Sequence, residues 1–172
     1  FILCKLNILH GWKAALYSPE NHPLELHFSK VAEKIIGKPF EGTDKMSPVD
    51  LDAMIKYHSE NFYFIKPEDD FTTESILKTA KQLVRKKGIK ALVIDAWNKL
   101  DHKDTGNNDT AYISRELDKI ANFCERNLIH LFLVVHPTKI AKDKTGKYEV
   151  PNLYSCAGSA NFFNKTHNGF CV

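Results

Sequence analysis

Asp95 ends the apolar run Ala91-Leu92-Val93-Ile94, and a carboxylate at the tip of a short buried strand is well placed to hold magnesium through its water shell. Two other polar groups stand in similar positions. Glu20 follows a short apolar run at 14–18, and His136 follows a second strongly apolar run at 131–135. A carboxylate to deprotonate water, another to hold a hard cation, and a donor to sense phosphate are the set that phosphoryl transfer to water requires. Singly, each has a plainer reading. Glu20 after Pro19 suits an exposed turn, Asp95 suits a turn cap, and His136 before Pro137 suits a strand end. Their joint placement depends on the elements that carry them.

Those elements alternate. A strand is expected over 14–18. A helix follows from Pro23, with Leu24, Phe28, Val31, Ala32 and Ile35 on one face and Gly37 as its stop. Ser47, Pro48 and Asp50 supply a cap, a first-turn proline and an acid three positions on, which opens a short helix to about Tyr57. A strand at 62–65 comes next. Thr72 or Thr73 caps a helix that buries Ile76, Leu77, Ala80, Leu83 and Val84 and closes at Gly88, with Arg85, Lys86 and Lys87 at the negative end of its dipole. Beyond the 91–95 strand and a polar loop at 99–109, Ile113, Leu117, Ile120, Ala121 and Cys124 mark another helix. Such alternation implies a mostly parallel α/β sheet with its C-terminal strand ends along one edge, which Ser18, Asp95 and His136 would share.

The last third is different. Residues 137–152 are polar and lysine-rich, with Thr145-Gly146 as a turn signal, and read as a loop or loose hairpin. The end, 169–172, reads as a strand cut short. The start resembles the inside of a helix, with Phe1, Ile2, Leu6 and Leu9 at helical spacing, Gly11 as a stop and no capping residue, so upstream sequence is expected.

Composition narrows the classes. A chain of 172 residues with 43% hydrophobic content can bury one core, and it has no apolar run near the ~18 residues that a membrane span needs. The four cysteines are scattered without a Cys-x-x-Cys pair, and no Cys/His spacing fits a zinc finger; reduced thiols in a cytoplasmic protein are expected. A net charge of +3 does not by itself announce nucleic acid.

Four ordered strings carry a more specific signal. Leu16-Tyr17-Ser18-Pro19-Glu20-Asn21, the strand running to Trp97, Leu133-Val134-Val135-His136-Pro137-Thr138-Lys139 and Gly158-Ser159-Ala160 together resemble the RecA-like motor domain of replicative helicases of the DnaB and Twinkle type, including phage primase-helicases. The resemblance covers nearly the whole chain, and the Val-His-Pro-x-Lys version resembles the Twinkle-like branch. It implies a single partial RecA-like P-loop NTPase domain, α/β with helices on both faces of the sheet, truncated at both ends. Its ligands would be ATP and Mg2+. Glu20 matches the water-activating glutamate, Asp95 the magnesium-associated aspartate, and His136 the phosphate sensor, with Ser18 also at the nucleotide. The loop behind His136, with Lys139, Lys142, Lys144 and Lys147, would line a ring channel and follow single-stranded DNA without reading bases.

The family's Gly-x-x-x-x-Gly-Lys-Ser/Thr loop does not occur in these residues, and its place is upstream of Phe1; the arginine finger belongs beyond Val172. The strand before that loop lies within the family's sheet, so exposed apolar surface and an unpaired strand edge are expected without it. The whole protein would be an ATP-driven DNA helicase, a hexameric ring with sites shared between subunits, bacterial or phage-encoded, with primase as a further partner. Two alternatives stay open: a non-catalytic RecA-like module that binds DNA or partners, and a recombinase-like ATPase that forms filaments.

Overall fold

The computed structural model describes residues 1–21, 23–102, 109–138, 142, 144–148, 150–156 and 160–171. Helix α1 (Ile2–His10) ends at Gly11, whose positive φ of 66° is left-handed, and the backbone then enters strand β1 (Ala14–Tyr17). Helix α2 (Leu24–Ile36) stops at Gly37, and α3 (Pro48–Asn61) begins with a full capping box between Ser47 and Asp50. The Asp50 carboxyl is held down at about 2, chiefly by the Ser47 backbone N–H and then by Lys38. Strand β2 (Phe62–Phe64), helix α4 (Thr73–Lys87, capped by Thr72), strand β3 (Ala91–Ile94), helix α5 (Asp109–Asn127), strand β4 (His130–Leu133) and a short helix α6 (Asn161–Asn164) complete the order.

The four strands form one sheet in the order β2-β1-β3-β4, and every pairing is parallel. Alternate residues face opposite ways, so the strands bury both faces. Ala15, Tyr17, Leu92 and Ile94 pack with Ile76 and Ala80 of α4 and with Ile113, Leu117 and Ile120 of α5. Ala14, Leu16 and Ala91 lie on the other face with Cys4 of α1, while Val31 and Ile35 of α2 and Tyr57 of α3 close over them. The expected α/β architecture with helices on both faces is the one observed.

Three expectations need correction. Strand β4 starts at His130 and ends at Leu133, earlier than the 131–135 run, because His130 N–H pairs with Lys90 O at 2.8 Å and Val135 is no longer in the ladder. Helix α3 continues to Asn61 rather than Tyr57, since Asn61 Nδ2 bonds Tyr57 O at 2.7 Å and its Oδ1 accepts from Asn7. Residues 168–171 form no strand; among the described residues they pair with no sheet edge.

The edge strand β4 is less covered than the centre. β1 is buried at every position, whereas β4 is exposed at His130 and half-buried at Leu131, Phe132 and Leu133. Ile8 and Leu9 of α1 are also exposed. Among the described residues no helix is long and apolar enough to cross a membrane.

Candidate active site

The C-terminal strand ends are pinned side by side by the backbone. Asp95 N–H donates to Tyr17 O at 2.8 Å, Val134 N–H to Ile94 O at 2.9 Å, and Trp97 N–H to Val134 O at 2.9 Å. The tips of β1, β3 and β4 are therefore held as one edge, where parallel α/β sheets bind ligands.

Ser18 to Asn21 is a β-turn with proline at its second position, closed by Asn21 N–H to Ser18 O at 3.2 Å. The turn aims its side chains at β3. Ser18 Oγ donates to Asp95 Oδ2 at 2.8 Å, and Asn21 Nδ2 reaches both Ser18 Oγ at 2.7 Å and Asp95 Oδ2 at 3.0 Å. Ser18 is buried, so these bonds fix the carboxylate before any ligand arrives. The peptide between Asp95 and Ala96 is cis.

Glu20, at the corner of the same turn, lies between two basic side chains. His136 Nε2 is 3.5 Å from Glu20 Oε2, and Lys99 Nζ is 3.4 Å from Glu20 Oε1. Lys99 is held in place from below, because the buried Tyr17 hydroxyl donates to Lys99 O at 2.7 Å. Burial, with Asp101 adding to it, pushes the Tyr17 phenol above its ordinary value, so it stays a donor. The structure thus brings Glu20, Asp95, Ser18 and His136 to one edge. Asn21 and Lys99 join them without having been singled out from sequence; the Ser-Pro turn signal was the available clue to Asn21, and nothing local marked Lys99.

The donor set suits a hard cation. Ser18 and Asp95 offer oxygen, and among the described residues no group of three His, Cys, Asp or Glu side chains converges as a cage. Magnesium here would rest on one carboxylate, its own waters and phosphate oxygens, its usual manner of binding.

Behind His136 the described residues make two antiparallel bridges. Pro137 bridges Cys156 in antiparallel fashion, and Thr138 N–H donates to Ser155 O at 2.7 Å. Farther out Lys142 bridges Tyr148, with Gly146 at φ 82° between them, which is the loose hairpin expected around Thr145-Gly146. Lys142, Lys144 and Lys147 are exposed. Lys139 and the Gly158-Ser159 motif lie outside the described residues. Helix α6 closes the region: Phe162 meets Trp97 edge-on at 5.6 Å, and Lys165 Nζ donates to Ser114 O and Oγ of α5, both at 2.8 Å.

A parallel sheet in this order, covered on both faces and carrying polar groups at its C-terminal edge, is a RecA-like ATPase fold. A solved structure of an ATPase domain shares it with a TM-score of 0.63, over 90% of this chain and 57% of that one, at 15% identity. In sequence the chain is 39% identical over 180 aligned residues to the Twinkle homolog protein, chloroplastic/mitochondrial, of Arabidopsis thaliana. That alignment takes in 99% of this chain and 25% of the plant protein, so the chain spans about a quarter of its relative's length. No family model matches. In sequence and in fold the chain is similar to the RecA-like helicase domains of the DnaB/Twinkle type. The relative's name is that of a plant organellar protein and lends no support to the expected bacterial or phage origin.

Proposed function

We propose that this chain is the motor portion of an ATP-dependent replicative DNA helicase, which hydrolyses ATP with Mg2+ and moves along single-stranded DNA as a ring of like subunits. The observation that carries this reading is the meeting of Glu20, Asp95 and His136 on one strand edge, with Glu20 and His136 3.5 Å apart. Glu20 is the general base, whose carboxylate takes a proton from the attacking water. Asp95, oriented by Ser18 and Asn21, would hold magnesium through its water shell. Magnesium would supply charge neutralisation at the phosphates. His136, in contact with Glu20 and close before the lysine loop, is placed to report the state of the phosphate to that loop.

Lys139, Lys142, Lys144 and Lys147 supply the backbone grip on DNA. Phosphate contacts of this kind weaken steeply with salt and do not depend on sequence, which suits a motor. Subunit sharing of the nucleotide, the hexameric ring and a primase partner follow from the family reading alone.

The test uses the full-length protein. ATP hydrolysis is measured with and without single-stranded DNA, for wild type and Glu20→Gln. DNA stimulation together with a loss of roughly a hundredfold or more in Glu20→Gln is expected. Hydrolysis indifferent to DNA, or intact in the variant, would overturn the assignment.

A further inference from the structure

The loop behind His136 carries more than lysines. Tyr148 is 67% exposed, although it sits in the bridged part of the ribbon, directly opposite Lys142. Directly opposed residues of an antiparallel pair project from the same face, and here Lys142 Nζ lies 5.1 Å from the Tyr148 ring centroid. One face of the ribbon therefore presents an open aromatic ring and an ammonium together. A single exposed tyrosine is ordinary on a protein surface. An aromatic paired with a cation on a lysine-rich ribbon whose ends are pinned at Pro137↔Cys156 is the combination that single-stranded nucleic acid needs: a ring to stack a base and a charge for the phosphate beside it.

We propose that Tyr148 is a stacking platform for one nucleobase of single-stranded DNA, with Lys142 engaging an adjacent phosphate. Every base has a π-face, so such a rung gives grip without sequence preference. It also gives the loop a discrete step, because a stacked base must leave the ring before the next one takes its place. The inference rests on the reading of this loop as the DNA-contacting loop and adds a base contact to its phosphate contacts.

The experiment separates the two. Binding of the full-length protein, with a non-hydrolysable ATP analogue, is measured by fluorescence anisotropy against oligothymidylate of about 20 nucleotides and against an abasic deoxyribose-phosphate strand of the same length. Tyr148→Leu, which keeps bulk but removes the ring, is expected to weaken oligothymidylate binding about tenfold and leave abasic binding unchanged, while Tyr148→Phe behaves as wild type. Equal weakening on both strands, or no weakening on either, overturns the stacking role. If Tyr148→Leu is silent while Lys142→Ala weakens both strands in a salt-dependent way, the DNA-loop reading stands and the stack falls. If wild type binds neither strand, both fall.

Discussion

Ser18 Oγ donates to Asp95 Oδ2 at 2.8 Å across the junction of the two central strands, and Asn21 Nδ2 backs the same oxygen at 3.0 Å. A carboxylate that orients metal-bound water depends on such outer contacts for its angle. Ser18→Ala leaves Asp95 with the amide alone. The Mg2+ concentration for half-maximal ATP hydrolysis by the full-length protein should rise about ten- to a hundredfold. Asn21→Ala should add less than its single effect when combined with Ser18→Ala, since both serve one oxygen. A magnesium titration of the three variants checks both statements, and an unmoved midpoint would remove Asp95 from the metal.

How much of this was legible in sequence follows from what each residue needs. Glu20, Asp95 and His136 each follow an apolar run, and parallel pairing of those runs forces their tips onto one edge, so their meeting needed only strand order. Helix caps at Ser47, Thr72 and Gly88 were equally local. Lys99 was not legible, because its ammonium reaches Glu20 only through a 3-10 turn (Trp97–Lys99) anchored by Tyr17, a contact 82 residues away in sequence. The bounds of β4 and α3 escaped for the same reason: the partner strand and the Asn7–Asn61 contact set them, and neither lies in the periodicity.

That Asn7 contact carries a prediction about stability. Asn7 is buried, and its amide donates to Trp12 O at 2.8 Å and Asn61 Oδ1 at 2.9 Å, while its carbonyl accepts from the Tyr57 hydroxyl. One side chain ties α1 to α3. Asn7→Ala orphans several partly buried groups at once and should cost about 2–3 kcal/mol, against about 1 kcal/mol for Tyr57→Phe, which removes one bond and keeps the ring. Urea denaturation of both variants measures the difference. Equal costs would mean that the carbonyl side of Asn7 carries the whole network.

Cys124 offers a chemical readout of packing. It is buried on α5 within the main core, and burial pushes its thiol up to about 11. Alkylation at about pH 8 requires thiolate, so Cys124 should resist iodoacetamide in the native protein and react once urea exposes it. Peptide mapping after brief labelling shows which state reacts. Native labelling of Cys124 would mean that α5 opens from the sheet.

His27 and His58 predict a pH dependence. They lie on α2 and α3 against β2, where His58 stacks on Phe64 at 5.7 Å and His27 meets the same ring edge-on at 5.0 Å. His27 Nδ1 and His58 Nε2 are buried without a hydrogen-bond partner among the described residues. Burial holds both imidazoles below the ordinary 6.5; Lys30 and Lys34 push His27 further down while Asp95 opposes them, and His27 lowers His58. The unfolded chain therefore binds more protons than the folded one just below about pH 6.5, so stability rises with pH there. The contribution is intact above about 6.5 and is lost as pH falls toward the lowered folded values. Carboxylates titrate nearby in pH, so the comparison is between wild type and His58→Phe, which keeps an aromatic ring on Phe64 and cannot take a proton. Thermal melts at about pH 5.5 and 7.5 should show the variant gaining on wild type at the lower pH. A stability difference between the two that does not change with pH would mean that His58 reaches water and charges freely in the folded protein.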